Sequence, residues 1–237
     1  MKPLSKTFLL GLVFAWGGLG VLSASVDLAN GLVGHWSFDE VNGTTVKDSS
    51  GNNRHGTLVN MDSATDYVDG KVNKAIDLDG SNDYVSIPHS SAVDIRRTIS
   101  VSMWMKVDSF ANEWMPVFYK GNGSNSSAGR TYTLWQESSR YLHNGSADSS
   151  GQETANTGSI ISTGNWYHVV SLFDRSGGTS KIYVNNVLSA SESVRQTDTV
   201  SNTKALLFGW THESSSNYST FDGQFDEVRL YDRILNT

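Results

Sequence analysis

The feature that most restricts the fold of this chain is a period-two alternation of apolar and polar residues, which recurs along most of its length. In the segment Ile99–Val107 every odd-numbered residue is apolar and the residues between them are mostly polar. Such alternation places the apolar side chains on one face of a β-strand, whereas helical periodicity is almost absent. The sequence therefore predicts an all-β fold.

Eleven strands are predicted, separated by Gly, Asn, Asp and Ser residues that suit turns. They cover residues 32–38, 75–78, 83–87, 99–107, 115–119, 131–136, 166–174, 181–184, 187–190, 205–209 and 225–231. Asn185 and Asn186 stand between two apolar runs and predict a two-residue hairpin turn. Two Gly/Ser/Asn-rich stretches, 121–129 and 144–158, are interpreted as long loops. Without βαβ alternation, these strands favour an antiparallel two-sheet β-sandwich.

Composition and charge exclude several functional classes. The chain contains no Cys, so zinc fingers, iron–sulfur proteins, thiol enzymes and disulfide scaffolds are excluded. Its formal net charge is -6, and no basic cluster is larger than Arg96-Arg97. We therefore expect no nucleic-acid partner.

The first 24 residues have the pattern of a secretory signal peptide. Lys2 and Lys6 precede an apolar run over residues 8–22, and small residues follow at Ser23, Ala24 and Ser25. The run is too short and too rich in glycine for a membrane-spanning helix. We expect residues 25–237 to form one domain, secreted to an extracellular or periplasmic location, with no membrane span in the mature chain.

Seven segments, taken in order, resemble the laminin-G-like, concanavalin A-like jelly roll domains. They are GLVGHWSFDE (31–40), DSSGNNRHGT (48–57), AIDLDGSNDYV (75–85), ISVSMWMK (99–106), WYHVV (166–170), KIYVNNVL (181–188) and FDGQFDEVRLYDRIL (221–235). The resemblance implies a jelly roll of two antiparallel sheets. It does not by itself imply a function, since this fold hosts lectins, adhesion domains and glycan-cleaving enzymes.

The catalytic patterns expected of an enzyme with this fold are absent from the sequence. There is no Glu-x-Asp-x-x-Glu string, which would place paired carboxylates on one strand face, and no Gly-x-Ser-x-Gly or His-Glu-x-x-His motif. We predict that the protein is not an enzyme. Carboxylates brought together from different strands are the alternative that sequence leaves open.

The resemblance also implies a structural calcium ion. In domains of this kind an ion often joins the first strand, a glycine-containing turn and the last strand, and the matching positions are Asp39, the Gly80 carbonyl and Asp226. Calcium takes six to eight oxygen ligands, so carboxylates and carbonyls suit it. The alternative for both aspartates is turn formation and hydrogen bonding without a metal.

Tryptophan positions give the main indication of a ligand site. Trp36, Trp104 and Trp166 occupy strand positions of the resembled family and are predicted to be core residues. Trp114, Trp135 and Trp210 do not match it and stand in or beside the polar stretches. Indole rings stack on the apolar faces of sugars, whose hydroxyl groups need polar partners. The predicted ligand-binding residues are Trp210, Trp135, Trp114, Arg130, His143 and His212.

These observations favour a secreted, non-catalytic domain that binds a polysaccharide or other glycan, in the manner of a lectin or adhesion domain. A structural or protein-interaction domain of the cell surface, with a protein partner, is the alternative. A polysaccharide-active enzyme with a non-standard site is the third hypothesis.

Overall fold

A computed structural model describes residues 27–40, 43–110, 114–123, 127–215, 218 and 220–236, so the predicted leader lies outside the described residues. Within these ranges the chain forms sixteen strands and one short 3-10 turn, Ser127–Gly129. The strands are β1 (Leu32–Trp36), β2 (Thr45–Val46), β3 (Gly56–Val59), β4 (Tyr67–Asp69), β5 (Lys74–Asp79), β6 (Tyr84–Ile87), β7 (Thr98–Val107), β8 (Trp114–Gly121), β9 (Arg130–Glu137), β10 (Leu142–Asp148), β11 (Gly151–Asn156), β12 (Trp166–Asp174), β13 (Thr179–Val184), β14 (Val187–Ser193), β15 (Leu206–Phe208) and β16 (Asp222–Tyr231). None of the described segments forms a helix with the length and apolar character needed to span a membrane.

The strands form two antiparallel sheets of eight strands each. Sheet A has the order β14-β13-β12-β7-β16-β5-β4, and β1 also pairs with β16. Sheet B has the order β11-β10-β9-β8-β15-β6-β3-β2. The two sheets pack face to face, which confirms the predicted β-sandwich.

The hydrophobic core lies between the sheets and follows the period-two pattern. Ile99, Met103 and Met105 of β7 are buried in sheet A, and Tyr132 and Leu134 of β9 are buried in sheet B. Because successive side chains of a strand point to opposite faces, the residues between these positions face outwards. The alternation therefore fixes which side chains form the outer surface of each sheet.

The two asparagines of the predicted hairpin turn connect β13 to β14. Asn185 and Asn186 have φ angles of 50° and 65°. Val184 and Val187 pair directly across them. Asn tolerates this left-handed conformation better than most residues, so the hairpin prediction is confirmed.

The prediction of a long loop over residues 144–158 is wrong, because this stretch contains most of the hairpin β10-β11. The inward side chains of β10 are polar, and they bond to β12 of sheet A and to Arg175, which directly follows β12. The Asn144 amide donates to Oγ of Ser171, and the Arg175 guanidinium donates to Oγ of Ser146 at 2.7 Å. Polar residues on the inward face hide the alternation that the prediction relied on.

An ion-pair network links the hairpin β10-β11 to the segments that follow β12 and β14. Arg195 donates to the carboxylate of Asp148 through Nε at 2.7 Å and Nη2 at 2.9 Å. Arg175 contacts the same carboxylate at 3.3 Å and that of Glu153 at 2.9 Å. Asp148 and Arg175 are almost fully buried. We call Asp148, Glu153, Arg175 and Arg195 the buried ion network.

The predicted core tryptophans divide between the interior and the surface. Trp36 is fully buried, as predicted. Trp104 and Trp166 are half-buried on the outer face of sheet A, so their assignment to the core is wrong. Trp104 follows the even-numbered parity of β7, which points outwards. The ammonium groups of Lys71 and Lys106 lie 4.8 Å and 5.8 Å from the ring centres of Trp104 and Trp166.

Candidate functional site

The outer face of sheet B carries a cluster of aromatic side chains. Trp114 begins β8, and its ring contacts the rings of Trp135 at 6.5 Å, Tyr141 at 6.0 Å and His143 at 5.0 Å between ring centres. An isolated backbone bridge pairs Trp114 with Tyr218. Neighbouring strands supply Trp135 and His143, and two residues outside the strands, Tyr141 and Tyr218, complete the set of four aromatic residues around one half-exposed indole.

Trp135 forms the floor of this cluster. Tyr132 and Leu134 of the same strand point into the core. Trp135 points to the outer face of sheet B and is nevertheless fully buried. Tyr218 covers it at 5.0 Å between ring centres, and the guanidinium of Arg130 lies 4.7 Å above the ring. Its indole Nε1 has no hydrogen-bond partner among the described residues.

A buried ion pair lies beside the floor. Arg130 donates to the two carboxylate oxygens of Glu213 through Nε at 2.7 Å and Nη2 at 2.9 Å. The hydroxyl of Tyr119 donates to Glu213 at 3.0 Å, and Nη2 of Arg130 also donates to the hydroxyl of Tyr218 at 3.0 Å. Burial and the charge of Glu213 raise the pKa of Tyr119 far above neutral pH, so its proton stays in place. Bidentate geometry holds Arg130 rigidly and balances its charge.

His143 stands at the rim of the cluster as a neutral side chain. Its Nδ1 lies 2.6 Å from Oδ1 of Asn156. Burial lowers the pKa of His143 to about 4, because the charged imidazolium would lose its hydration. At neutral pH the ring therefore offers hydrogen bonds without a net charge.

Two cavities meet at Tyr218, and we call them together the cleft. The smaller, of about 220 Å³, is lined by Trp114, Arg130, His143, Gln152 and Tyr218. The larger has a volume of about 630 Å³. Its lining residues are Gly80, Ser81, Trp210, Thr211, His212, Glu213, Ser214, Ser215, Tyr218 and Thr220. Aromatic rings dominate the lining of the smaller cavity, whereas hydroxyl groups and aromatic rings dominate that of the larger one.

The larger cavity has its own aromatic platform. Trp210 is half-buried and stacks on Tyr84, with 5.5 Å between ring centres and an angle of 24° between the planes. His212 contacts Tyr119 at 6.0 Å. Burial lowers the pKa of His212, so this ring is also neutral at neutral pH.

The structure brings the predicted ligand residues to one surface, in two groups. Trp114, Trp135, Arg130 and His143 meet around the smaller cavity, and His212 lines the larger cavity together with Trp210. Trp135 lies within β9, and its burial makes it a floor residue instead of an exposed stacking platform.

Gln152 and Glu213 belong to this surface, and sequence reasoning missed them. Gln152 lies on β11, and its Nε2 is buried with no described hydrogen-bond partner. Gly145 of the neighbouring strand leaves room for that amide, because a Cβ at this position would overlap Nε2. The hairpin parity would have revealed Gln152, had residues 144–158 been interpreted as two strands.

The predicted metal residues are only partly brought together. Asp39 accepts a hydrogen bond from the backbone of Lys74 at 3.1 Å, and Asp226 accepts one from the backbone of Val72 at 2.7 Å, so both contact one turn. Gly80 is not part of this group: β5 and β16 pair Asp79 with Asp222, four residues before Asp226. The grouping of Gly80 with the two aspartates is therefore wrong, because the strand register places it at the larger cavity.

The surroundings of Asp226 are unusual for a carboxylate. Its side chain is fully buried, and Oδ1 has no described hydrogen-bond partner. Burial, together with the charges of Glu227 and Asp39, raises the pKa of Asp226 to about 6. Phe38 and Glu227, which flank the two aspartates in sequence, have φ angles of 60° and 54°. Left-handed backbone at non-glycine residues is strained and is frequent at functional sites.

Comparison with known proteins places this architecture. A search of curated proteins finds no match. Among solved structures, domain 4 of an extracellular arabinanase from Geobacillus stearothermophilus, in complex with arabinotriose, is 25% identical with a TM-score of 0.62, over 86% of this chain and 94% of that domain. Botulinum neurotoxin type C, whose cell entry depends on two ganglioside molecules, is 14% identical with a TM-score of 0.67, over 90% of this chain and 50% of the matched chain.

An enzyme also appears among the similar structures. Trypanosoma rangeli sialidase, in complex with a difluorosialic acid, is 16% identical with a TM-score of 0.62, over 87% of this chain and 31% of that chain. The present chain thus spans half or less of the toxin and sialidase chains that it matches. Residues 79–237, more than half of the sequence, match the family described as the concanavalin A-like lectin/glucanases superfamily. By this match and by its two-sheet architecture, the chain belongs to the concanavalin A-like lectin/glucanase superfamily.

Proposed function

We propose that this domain is a secreted, non-catalytic module that binds a glycan in the cleft on the outer face of sheet B. The observation that carries the proposal is the combination of half-exposed aromatic rings with a buried N–H group that has no described partner. Trp114, His143 and Tyr218 supply the rings, and Nε2 of Gln152, which lines the smaller cavity, is the unpaired donor.

Sugar rings match both properties. Their C–H faces stack on aromatic rings, and their hydroxyl groups accept hydrogen bonds. A buried donor without a partner costs about 1–3 kcal/mol, so a ligand that supplies an acceptor recovers that free energy. An apolar ligand would leave the amide of Gln152 unpaired.

The similar structures support the same class of ligand. The arabinanase domain was solved with arabinotriose, and the botulinum toxin interacts with gangliosides. Both are carbohydrate ligands on a fold shared with this chain.

The carboxylates of the cleft support a role without catalysis. Among the described residues that line the two cavities, Glu213 is the only Asp or Glu, and it is bound to Arg130. Hydrolysis of glycosidic bonds ordinarily needs a pair of carboxyl groups. An assay for cleavage of polysaccharides tests this point, and turnover that a single Asp or Glu substitution abolishes would contradict it.

A glycan array with purified protein tests the binding proposal. We expect Trp114→Ala to weaken binding at least tenfold, because the mutation removes the exposed stacking ring. Trp104→Ala is the matched control, since it removes a half-exposed indole from the opposite sheet. Silence across the array, or equal binding by Trp114→Ala and the wild type, would refute the proposal.

A cell-surface protein-interaction domain is the second candidate, and the outer face of sheet A favours it. Trp104 and Trp166 are half-exposed there, beside Lys71 and Lys106. Indole rings and cations are common anchors of protein interfaces. Capture of a protein partner that Trp104→Ala abolishes, together with a silent glycan array, would favour this function over the first.

We further propose that Asp39 and Asp226 hold a structural calcium ion. Its positive charge would balance the two carboxylates, which both contact the turn formed by residues 70–74. The support is the unpaired Oδ1 of Asp226, its burial and the nearby charge of Asp39. Calcium would relieve the cost of that buried charge. We expect a chelator to lower the melting temperature, and Asp226→Ala to abolish the difference between chelated and calcium-loaded samples. An unchanged melting curve in chelator would refute it.

A further inference from the structure

The charges that line the cleft cancel one another. In the part of the lining that the structure describes, Arg130 and Glu213 are the only Lys, Arg, Asp or Glu residues. They form a bidentate ion pair with side-chain exposures of 8% and 0%. His143 and His212 remain uncharged at neutral pH, since burial lowers the pKa of both. The described lining therefore has no net charge.

The ammonium group of Lys120 is bound by other groups and does not line the cleft. Lys120 is fully buried, and its ammonium donates to Oδ1 of Asn202 at 2.9 Å and to the carbonyl of Lys204 at 2.6 Å. Neither Lys120 nor Lys204 lines the cavities.

The shape of the cleft matches a chain of sugars. The cavity around Trp114 and the cavity around Trp210 share Tyr218 as a common wall. The smaller volume lies below the range of about 300–1,000 Å³ usual for a ligand pocket, whereas the larger lies inside it. Two aromatic platforms on either side of one tyrosine therefore suit consecutive sugar rings.

Resting on the proposed function, we infer that the cleft selects uncharged oligosaccharides of at least two sugars, laid across Tyr218, over glycans that carry carboxylates. A uronate or sialate would bring a carboxylate against half-buried side chains, where the one guanidinium of the described lining is already neutralised by Glu213. An unpaired buried charge is far more costly than an unpaired hydroxyl group. Hydroxyl groups, in contrast, can accept hydrogen bonds from the amide of Gln152, which lines the smaller cavity.

Matched trisaccharide pairs test the inference on a glycan array. Each pair consists of a neutral trisaccharide and its oxidised counterpart, such as cellotriose with β-1,4-triglucuronate or mannotriose with β-1,4-trimannuronate. The array also carries the monosaccharides and sialylated glycans. We expect the neutral trisaccharide to bind at least tenfold better than its acidic counterpart and than its own monosaccharide. Equal or better binding of acidic chains would overturn this inference and leave glycan binding intact. No binding to any glycan would overturn both.

A charge substitution tests the physical reason. Glu213→Gln preserves the shape of the side chain but leaves the charge of Arg130 unbalanced, so we expect the preference for neutral glycans to shrink at least tenfold. Glu153→Gln is the matched control, because Glu153 also pairs with a buried arginine but belongs to the buried ion network. Circular dichroism must show that both variants are folded. If Glu213→Gln unfolds, Arg130→Gln replaces it. This variant removes the positive charge itself, so we expect it to retain the preference for neutral glycans. An unchanged preference in folded Glu213→Gln, or its loss in Arg130→Gln, would overturn the inference.

Discussion

The buried ion network gives a quantitative prediction of stability that an unfolding experiment can refute. The carboxylate of Asp148 accepts hydrogen bonds from Arg195, Arg175 and the backbone of Ser150 at 2.7–3.3 Å, and also from Thr197. With exposures of 3% and 1%, Asp148 and Arg175 have little access to water. Asp148→Asn removes the charge and one acceptor oxygen with almost no change in volume, so its cost reports the lost polar interactions and not a cavity.

The expected cost follows from what remains after the substitution. Breaking a buried ion pair costs about 3–5 kcal/mol because the surviving charge is left without its partner. Arg175 retains Glu153, and the Arg195 side chain is 38% exposed. Both facts favour the lower end of that range, so we expect a loss of about 3 kcal/mol. With a urea m-value of about 1–3 kcal/mol/M, this corresponds to a midpoint lowered by about 1 M or more.

Urea unfolding of the wild type and two variants measures this cost. The control is Asp198→Asn, which breaks the pair between Arg97 and Asp198 at 3.0 Å, where both side chains are 48% exposed. Surface pairs contribute about 0–1 kcal/mol, so the control midpoint should barely move. Equal midpoint shifts in the two variants would refute the assignment of the stability to burial.

The pH dependence provides an independent check. Hydrogen bonds from Arg195 hold the pKa of Asp148 well below its usual value of 3.8. The stabilisation is therefore present above that pH and is lost as the pH falls, because the unfolded chain then binds the proton first. The gap between wild type and Asp148→Asn should narrow by about 1.4 kcal/mol for each pH unit below 3.8. A gap that stays constant down to pH 3 would refute the electrostatic origin.

Three further substitutions follow from the geometry. Gln152→Leu removes a buried donor without a described partner, so urea unfolding should show a gain of about 1 kcal/mol while the glycan array shows weaker binding; reduced stability would contradict this. Asn186→Ala, at a φ of 65°, should cost about 1–2 kcal/mol by thermal unfolding, whereas Asn186→Gly should not; equal melting points would argue against turn strain. Burial raises the pKa of Asp83 to about 6, so the free energy of unfolding of the wild type should fall as the pH rises from 4 to 7. This fall should be smaller in Asp83→Asn. Identical pH profiles of stability in the two proteins would refute the raised pKa.

The fold was predictable wherever one face of a strand is apolar. The bounds of β12 agree with the predicted residues 166–174, and β7 differs by one residue. The hairpin β10-β11 was missed because Asn144, Ser146 and Asp148 point inwards and are satisfied by Ser171 of β12 and by Arg175, which follows that strand. Periodicity detects apolar burial, and it has no sensitivity to a buried polar layer.

The site was predictable in its composition and less so in its geometry. Unassigned tryptophans led to Trp114 and Trp210, which line the two cavities. Glu213 was missed because its partner Arg130 is 83 residues away in sequence, and nothing local signals the pairing. Gly80 was misplaced for a related reason, since the register of β5 against β16 decides its neighbours.

The position of β16 has a consequence for biosynthesis. This strand pairs with β1, β5 and β7 in the middle of sheet A, yet every other described strand precedes it in the chain. On the ribosome, sheet A consequently lacks its centre until residues 222–231 have been made. Contacts of such long sequence separation form slowly, so the nascent chain must keep the open edges of β5 and β7 from aggregating. A chaperone that shields these edges until synthesis reaches Tyr231 would therefore raise the yield of folded protein.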